Sequence, residues 1–303
     1  MKGSIATGEN SKVRGSRCAV RAGAARRTIA ADISMPTRFP PARLLPLAAA
    51  AALFLAGVPA PAQQPYVTDD AEVTPRGEWH FQLANSFAKL QKSDYPNLRQ
   101  NTTNFVIQYG LAGGIEVNVD FPLIAIANSR SSGLSSVFGL GDVDLAAKWN
   151  LVREPADGSH PAVAVDLAVE FPTGDTKKQL GSGLTDYVFN AILQKSFSAT
   201  SVHLNLGVQF RGNTTTGAEG IRTPGVIYVV GLSGARDVSP TLRLGLDLNG
   251  AEVHRRSTEE KQIQLTAGGN WAVLRGGTFD FAVFAGWESA PRVGILVGVS
   301  LTP

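Results

Sequence analysis

The 303-residue chain has almost no sulfur: one cysteine, Cys18, and two methionines, Met1 and Met35. All three precede residue 63, so the rest of the chain can form no disulfide, no thiolate metal site and no cysteine nucleophile. Charge is also scarce, with 17% Asp, Glu, Lys and Arg against 44% hydrophobic residues. That balance excludes a disordered chain, which needs high net charge and few apolar residues. The formal net charge of +3 is unevenly placed, because residues 1–62 hold nine of the 28 basic residues and only Glu9 and Asp32 in opposition. Residues 63–303 carry 19 basic and 23 acidic residues, so the body of the chain lacks the basic footprint of a nucleic-acid binder. Beyond Ala62 there is no 18-residue apolar run to make a transmembrane helix, and the i, i+3, i+4, i+7 spacing of an amphipathic helix is hard to find.

What is present begins with a leader. From Met35, two arginines (Arg38 and Arg43) precede an apolar stretch from Leu44 to Val58 and the small-residue site Ala60-Pro61-Ala62. This order is that of a secretory signal peptide cleaved after Ala62. The expected organisation is a leader at 1–34, a signal peptide at 35–62 and one domain at 63–303. Translation starts at Met1 or Met35, and the complete signal that follows Met35 favours the latter.

The body alternates. Segment 115–121 sets Ile115, Val117, Val119 and Phe121 against Glu116, Asn118 and Asp120, and 142–151 sets Val143, Leu145, Ala147 and Trp149 against Asp142, Asp144 and Lys148. The same period of two, the signature of a strand with one apolar face, runs through 78–90, 102–111, 162–171, 202–211, 241–250 and 293–301. It is weaker in 184–197, 225–236, 261–273 and 278–288. Twelve strands result, an even number of about 9–11 residues each, which is the length that crosses a bilayer at a tilt. Long polar connections alternate with mostly short turns such as Ala112-Gly113-Gly114 and 237–240. The fold class expected is all-β, an antiparallel transmembrane barrel of about twelve strands in the outer membrane, with lipid outside and a polar lumen. A soluble sandwich also buries one face per strand, but its strands are shorter and its other face need not gather so many ionisable groups.

Residues Pro65-Tyr66-Val67-Thr68-Asp69-Asp70-Ala71 followed by Arg76-Gly77-Glu78-Trp79 resemble the opening of a bacterial outer-membrane family named for the MetA-pathway of phenol degradation. Gly139-Leu140-Gly141-Asp142-Val143-Asp144 and Phe171-Pro172-Thr173-Gly174-Asp175 are similar to two of its hairpin motifs, and the resemblance covers most of 65–303. It implies an outer-membrane channel or transporter linked by name to aromatic catabolism. The chain departs from common outer-membrane barrels in ending Ser300-Leu301-Thr302-Pro303, without a terminal aromatic residue.

Candidate functional residues are those that the alternation turns inward. These pore-lining candidates are the acids Glu116, Asp120, Asp142, Asp144, Asp166, Glu170, Asp186, Asp247, Asp280 and Glu288, with the bases Lys148, Arg211, Arg243 and Arg292. Ten acids against four bases give a field that favours cations and neutral molecules over anions. Gly207, Gly245, Gly268, Gly294 and Gly298 also fall inward, marking close packing or a widened pore. His80 and His203 point inward without a third ligand at matched depth, so lumen hydrogen bonding is expected rather than a metal. Gly139-x-Gly141-Asp142 opens a strand instead of a helix and is no phosphate loop. Gly231-Leu232-Ser233-Gly234-Ala235 lacks the last glycine of a nucleophile elbow, and spacing names no serine for His203. The chain is therefore expected to be no enzyme, to need no cofactor, and to meet outer-membrane lipid and a small solute. Aromatic or apolar solutes are the favoured class. The rivals are a filled structural or adhesive barrel whose long loops bind an external partner, and a barrel lipid hydrolase.

Overall fold

A computed structural model describes residues 65–91, 99–127, 136–210, 225–254 and 259–303. The expected leader, the signal peptide and Arg211 lie outside the described residues. Strands β1 (Trp79–Lys89), β2 (Arg99–Gly110), β3 (Ile115–Ala127), β4 (Val137–Leu140), β5 (Val143–Val152) and β6 (Ala162–Phe171) come first. They are followed by β7 (Asp186–Phe197), β8 (Thr200–Phe210), β9 (Val226–Ser239) and β10 (Leu242–His254). The last three are β11 (Glu259–Leu274), β12 (Gly277–Glu288) and β13 (Val293–Leu301). All pair antiparallel in one sheet, and β1 pairs with β13 from Phe81↔Leu301 to Lys89↔Val293, so the sheet closes on itself. Strands β4 and β5 both pair with β3 and form one stave interrupted at Gly141-Asp142, which gives a twelve-stave barrel. Closure leaves no unpaired edge, the condition for strands to cross lipid.

The sequence places a strand end at Phe121 and a loop over 122–138, whereas β3 continues to Ala127 and is met by β4. The reason is on the inward face. Pro122, Ile124 and Ile126 are inward here, so Pro122-Leu123-Ile124-Ala125-Ile126-Ala127 is apolar on both faces and the period of two disappears. Pro122 falls where the neighbouring stave is broken, and its carbonyl accepts from Gly141 N at 2.8 Å.

Outward side chains form the apolar belt that a bilayer requires. Leu145, Leu167, Leu206, Leu232, Leu246, Val283, Ile295 and Val297 are all exposed. Exposed aromatic residues ring both rims: Trp79, Trp149, Phe197 and Trp271 near the short turns, and Phe171, Tyr187, Phe210, Tyr228 and Trp287 near the long loops. Such girdles mark the two membrane interfaces. Leu246 is 58% exposed while its neighbour Asp247 is wholly buried on the inward side. Leu246→Arg is therefore expected to destabilise the barrel by ~2–4 kcal/mol near mid-membrane, read as a lower midpoint in lipid-vesicle unfolding. A membrane-impermeant thiol reagent that labels cysteines at 246 and 247 equally would contradict the assigned faces.

Candidate functional site

The feature with most bearing on function is absent from any strand. Residues 65–77 precede β1 and run across the inside of the barrel, as a strap along its short-turn half. In outer-membrane barrels that half faces the periplasm. The Tyr66 hydroxyl donates to Gly268 O on β11 at 2.9 Å. Val67 N and Thr68 Oγ1 donate to the Asp247 carboxylate on β10 at 2.8 and 2.5 Å. Ala71 N donates to Gln194 Oε1 on β7, and Asn150 Nδ2 on β5 donates to Ala71 O. Thr74 N and Oγ1 donate to Glu116 Oε2 on β3 at 2.7 and 2.6 Å. Ala71 is fully buried against Ala162, Ala164 and Ile192.

Lys148 holds the middle of the strap. Its ammonium is 3.2 Å from Asp69 Oδ1 and 3.6 Å from Asp70 Oδ1, and its side chain is 2% exposed. On the wall Lys148 stands between Glu116 and Asp166, directly opposite each, and the strap's two adjacent aspartates complete the ring of counter-charge around the buried ammonium. The inward glycines make room for the same segment. A Cβ on Gly231 would strike Thr68, one on Gly245 would lie 2.7 Å from the Tyr66 hydroxyl, and one on Gly268 would lie 2.9 Å from Pro65. Gly294 answers a different need: its missing side chain leaves space for the Phe284 ring.

Burial pushes the Tyr66 phenol up to about 12, so it stays a neutral donor at physiological pH. Burial also raises the Glu72 carboxyl, and the nearby Asp70 charge adds to it. Glu72 is solvent-exposed yet lies within the barrel mouth, so exposure and desolvation coexist there.

Farther from the short turns the wall carries acids in register. Asp120 on β3 is directly opposite Asp144 on β5, Asp144 opposite Glu170 on β6, and Glu170 opposite Asp186 on β7. Four carboxylates thus stand in one row across four neighbouring staves. Asn104 Nδ2 donates to Asp120 at 3.3 Å and Gln209 Nε2 to Asp186 at 2.8 Å. Asp166 lies opposite Lys148, two inward steps below the Asp144–Glu170 pair.

The remaining candidates serve other places. Asp142 accepts from Gly174 N at 2.9 Å and Ser182 N at 2.7 Å, which clips the connection 172–185 over the long-loop mouth. That connection delivers Leu180 into an apolar cluster with Ala88, Leu90, Ile124 and Ile126, backed by Phe284. Asp280 accepts from Asn270, Thr278 and Ser300, at 2.8, 3.0 and 2.6 Å. Arg243 bonds Ser201 and lies 3.7 Å from Asp237 at the short-turn rim. Glu288 and Arg292 are exposed at the long-loop rim. His80 Nδ1 is 2.8 Å from Thr302 Oγ1, and His203 Nδ1 is 2.8 Å from Ser233 Oγ, a partner that β8–β9 register supplies and sequence spacing does not. Among the described residues no group of three or more His, Cys, Asp or Glu side chains is arranged to hold a metal ion.

Sequence alternation identifies the wall but not its occupant. The alternation gives residues 65–77 no place in the barrel, and only the pairing of Asp69-Asp70 with an inward Lys148 could have signalled that they enter the lumen.

A search of the curated proteins finds no match. Among solved structures, the chain is similar to an outer membrane channel from Pseudomonas putida F1, with a TM-score of 0.62 at 15% identity, covering 77% of this chain and 98% of that one. It is also similar to the NanC porin, with a TM-score of 0.50 at 7% identity over 73% and 98% of the two chains. At these identities the likeness concerns the fold, an outer-membrane barrel, and with the apolar belt it places the chain in the outer membrane. The family model described as "Putative MetA-pathway of phenol degradation" matches residues 62–299, nearly the whole barrel with its strap, and the chain belongs to that family.

Proposed function

We propose that the chain is a passive outer-membrane channel for small neutral or cationic solutes with aromatic or apolar bodies, with the strap as a displaceable plug. The observation that carries this reading is the row Asp120–Asp144–Glu170–Asp186. Like charges directly opposite across a sheet are destabilising, and a barrel that only needed a filled core would be better served by amides or apolar side chains there. A row of carboxylates around part of a wet lumen attracts cations and repels anions. Membership of the family described by the MetA-pathway of phenol degradation supports a solute with an aromatic or apolar body.

The test is ion selectivity in a planar bilayer. Asp120→Asn, Asp144→Asn, Glu170→Gln and Asp186→Asn combined should shift the reversal potential toward anions, with the largest shift at low salt, where the Debye length is ~30 Å at 0.01 M. An unchanged reversal potential would remove the row from the conduction path.

The second reading, a filled structural barrel, is favoured by the strap's many polar contacts and by the clipped connection 172–185. It differs in what happens when the strap is removed.

A further inference from the structure

The lipid-facing belt changes character on one side of the barrel. Near the long-loop rim, β6 to β9 and β12 present the aromatic residues Phe171, Tyr187, Phe210, Tyr228 and Trp287. The outermost outward positions of β1 and β2 are Lys89 and Arg99 instead. Both share the outward face, because their neighbours Ala88 and Gln100 are buried on the lumen side. They are directly opposite each other in the β1–β2 register, which puts their Cβ atoms ~4.5–5.5 Å apart. Arg292, exposed at the start of the next stave, donates its backbone N–H to Lys89 O at 2.8 Å and brings a third cation to the same corner.

Below these cations the same outward face carries Asn85, Asn101 and Thr103 around Phe87. Asn85 and Asn101 exchange side-chain amide bonds at 3.1 and 2.9 Å, and Asn85 Nδ2 also donates to Thr103 Oγ1 at 2.7 Å. The outward faces of β13, β1, β2 and β3 hold no acid. Glu288, across the β12–β13 turn, sets one carboxylate against three cations. We infer that this corner of the outer wall is a docking site for a phosphorylated glycolipid of the outer leaflet, with a phosphate on Lys89 and Arg99 and sugar hydroxyl or amide groups on the Asn–Thr patch.

Three features select that occupant. The first is charge. Like charges directly opposite across a sheet are destabilising, and a phosphate between them turns repulsion into two charge-assisted contacts, with the arginine fork suited to its oxygens. The second is position: the long-loop rim faces outward, at the level of that leaflet's headgroups. The third is the polar patch. Acyl chains offer nothing to two amides and a hydroxyl, whereas a glycolipid headgroup brings donors and acceptors of its own. Snorkelling alone would carry the charged ends to the interface but requires neither their side-by-side placement nor the amides below. A second copy docked across a two-fold axis would bring the same cations face to face.

The site does not depend on whether the lumen conducts, and it is tested by lipid titration of the barrel in detergent, read by native mass spectrometry. Bisphosphorylated lipid A is expected to bind saturably, with dephosphorylated lipid A and phosphatidylglycerol each at least tenfold weaker. Lys89→Gln combined with Arg99→Gln should lower the affinity for bisphosphorylated lipid A at least tenfold while leaving the heat-modifiable gel shift of the folded barrel intact. Arg236→Gln, which removes an exposed cation at the short-turn rim, should leave that affinity unchanged. Equal binding of the two lipid A forms, equal binding of phosphatidylglycerol, or full affinity in the Lys89–Arg99 variant would each overturn the assignment. An equal loss in Arg236→Gln would reduce the effect to net charge and overturn it as well. A lipid-free dimer broken by the Lys89 and Arg99 substitutions would give this face to a second copy instead.

Discussion

Deletion of residues 65–75 is expected to raise single-channel conductance severalfold, with no loss of the folded barrel. These residues make no strand of the wall, so the closed sheet from β1 to β13 persists without them. They do occupy the lumen between β3 and β11, crossing it from Gly268 to Glu116. Each hydrogen bond they lose contributes only ~0.5–1.5 kcal/mol net, and water entering the vacated lumen can replace it. The measurement is planar-bilayer conductance of the deleted and full chains at equal salt, with heat-modifiable mobility as the control for folding. Unchanged conductance would favour the filled structural barrel.

Lys148→Met is expected to produce much of the same effect by a single change. Lys148 is the cation against which Asp69 and Asp70 dock, and Glu116 stands in the same region of wall. Without the ammonium, four carboxylates (Asp69, Asp70, Glu116 and Asp166) crowd a partly dry lumen. Breaking a buried pair by removing one partner costs ~3–5 kcal/mol, and hydration of the strap side holds the effect to the lower end. The strap should therefore leave the wall for much of the time, seen as flickering to a higher conductance level. Combining Lys148→Met with Asp69→Asn and Asp70→Asn should restore the closed level, because the repulsion goes with the charges. Identical traces for Lys148→Met and the unmodified chain would show that other contacts hold the strap.

Much of the wall was legible from alternation because a membrane barrel obeys the simplest possible rule: lipid on one face and water on the other. The rule fails where the lumen is itself apolar. Ile124 and Ile126 face inward beneath Leu180, so the upper part of β3 loses its contrast, and β4 cannot be separated from a loop. The inward direction of Asp144, Glu170 and Asp186 follows from parity alone. Their arrival in one row does not, since stagger between staves is set by hairpin geometry and by bulges such as that between Asn150 and Val152. Asp142 illustrates the opposite failure: parity assigns it to the pore, while its carboxylate is spent on the backbone of Gly174 and Ser182. The strap was illegible because most of its anchoring contacts are to partners far away in sequence. Nothing local in Tyr66 to Pro75 requires it to be extended.

The glycines that accommodate the strap also have a mechanical consequence. Strands β9, β10 and β11 contain Gly231, Gly234, Gly245, Gly250, Gly268 and Gly269, and Gly245 is directly opposite Gly268. Glycine inside a strand removes side-chain packing and leaves the backbone freer to bend. This quarter of the shell is therefore compliant, and the tyrosine and threonine of the strap brace it from within, as ribs stiffen a thin hull. When the strap is in place the cross-section is held round against lateral pressure from the lipid. When it is absent, β9–β11 lose that brace, so the bore of the emptied barrel varies with membrane tension rather than being fixed by strand number alone.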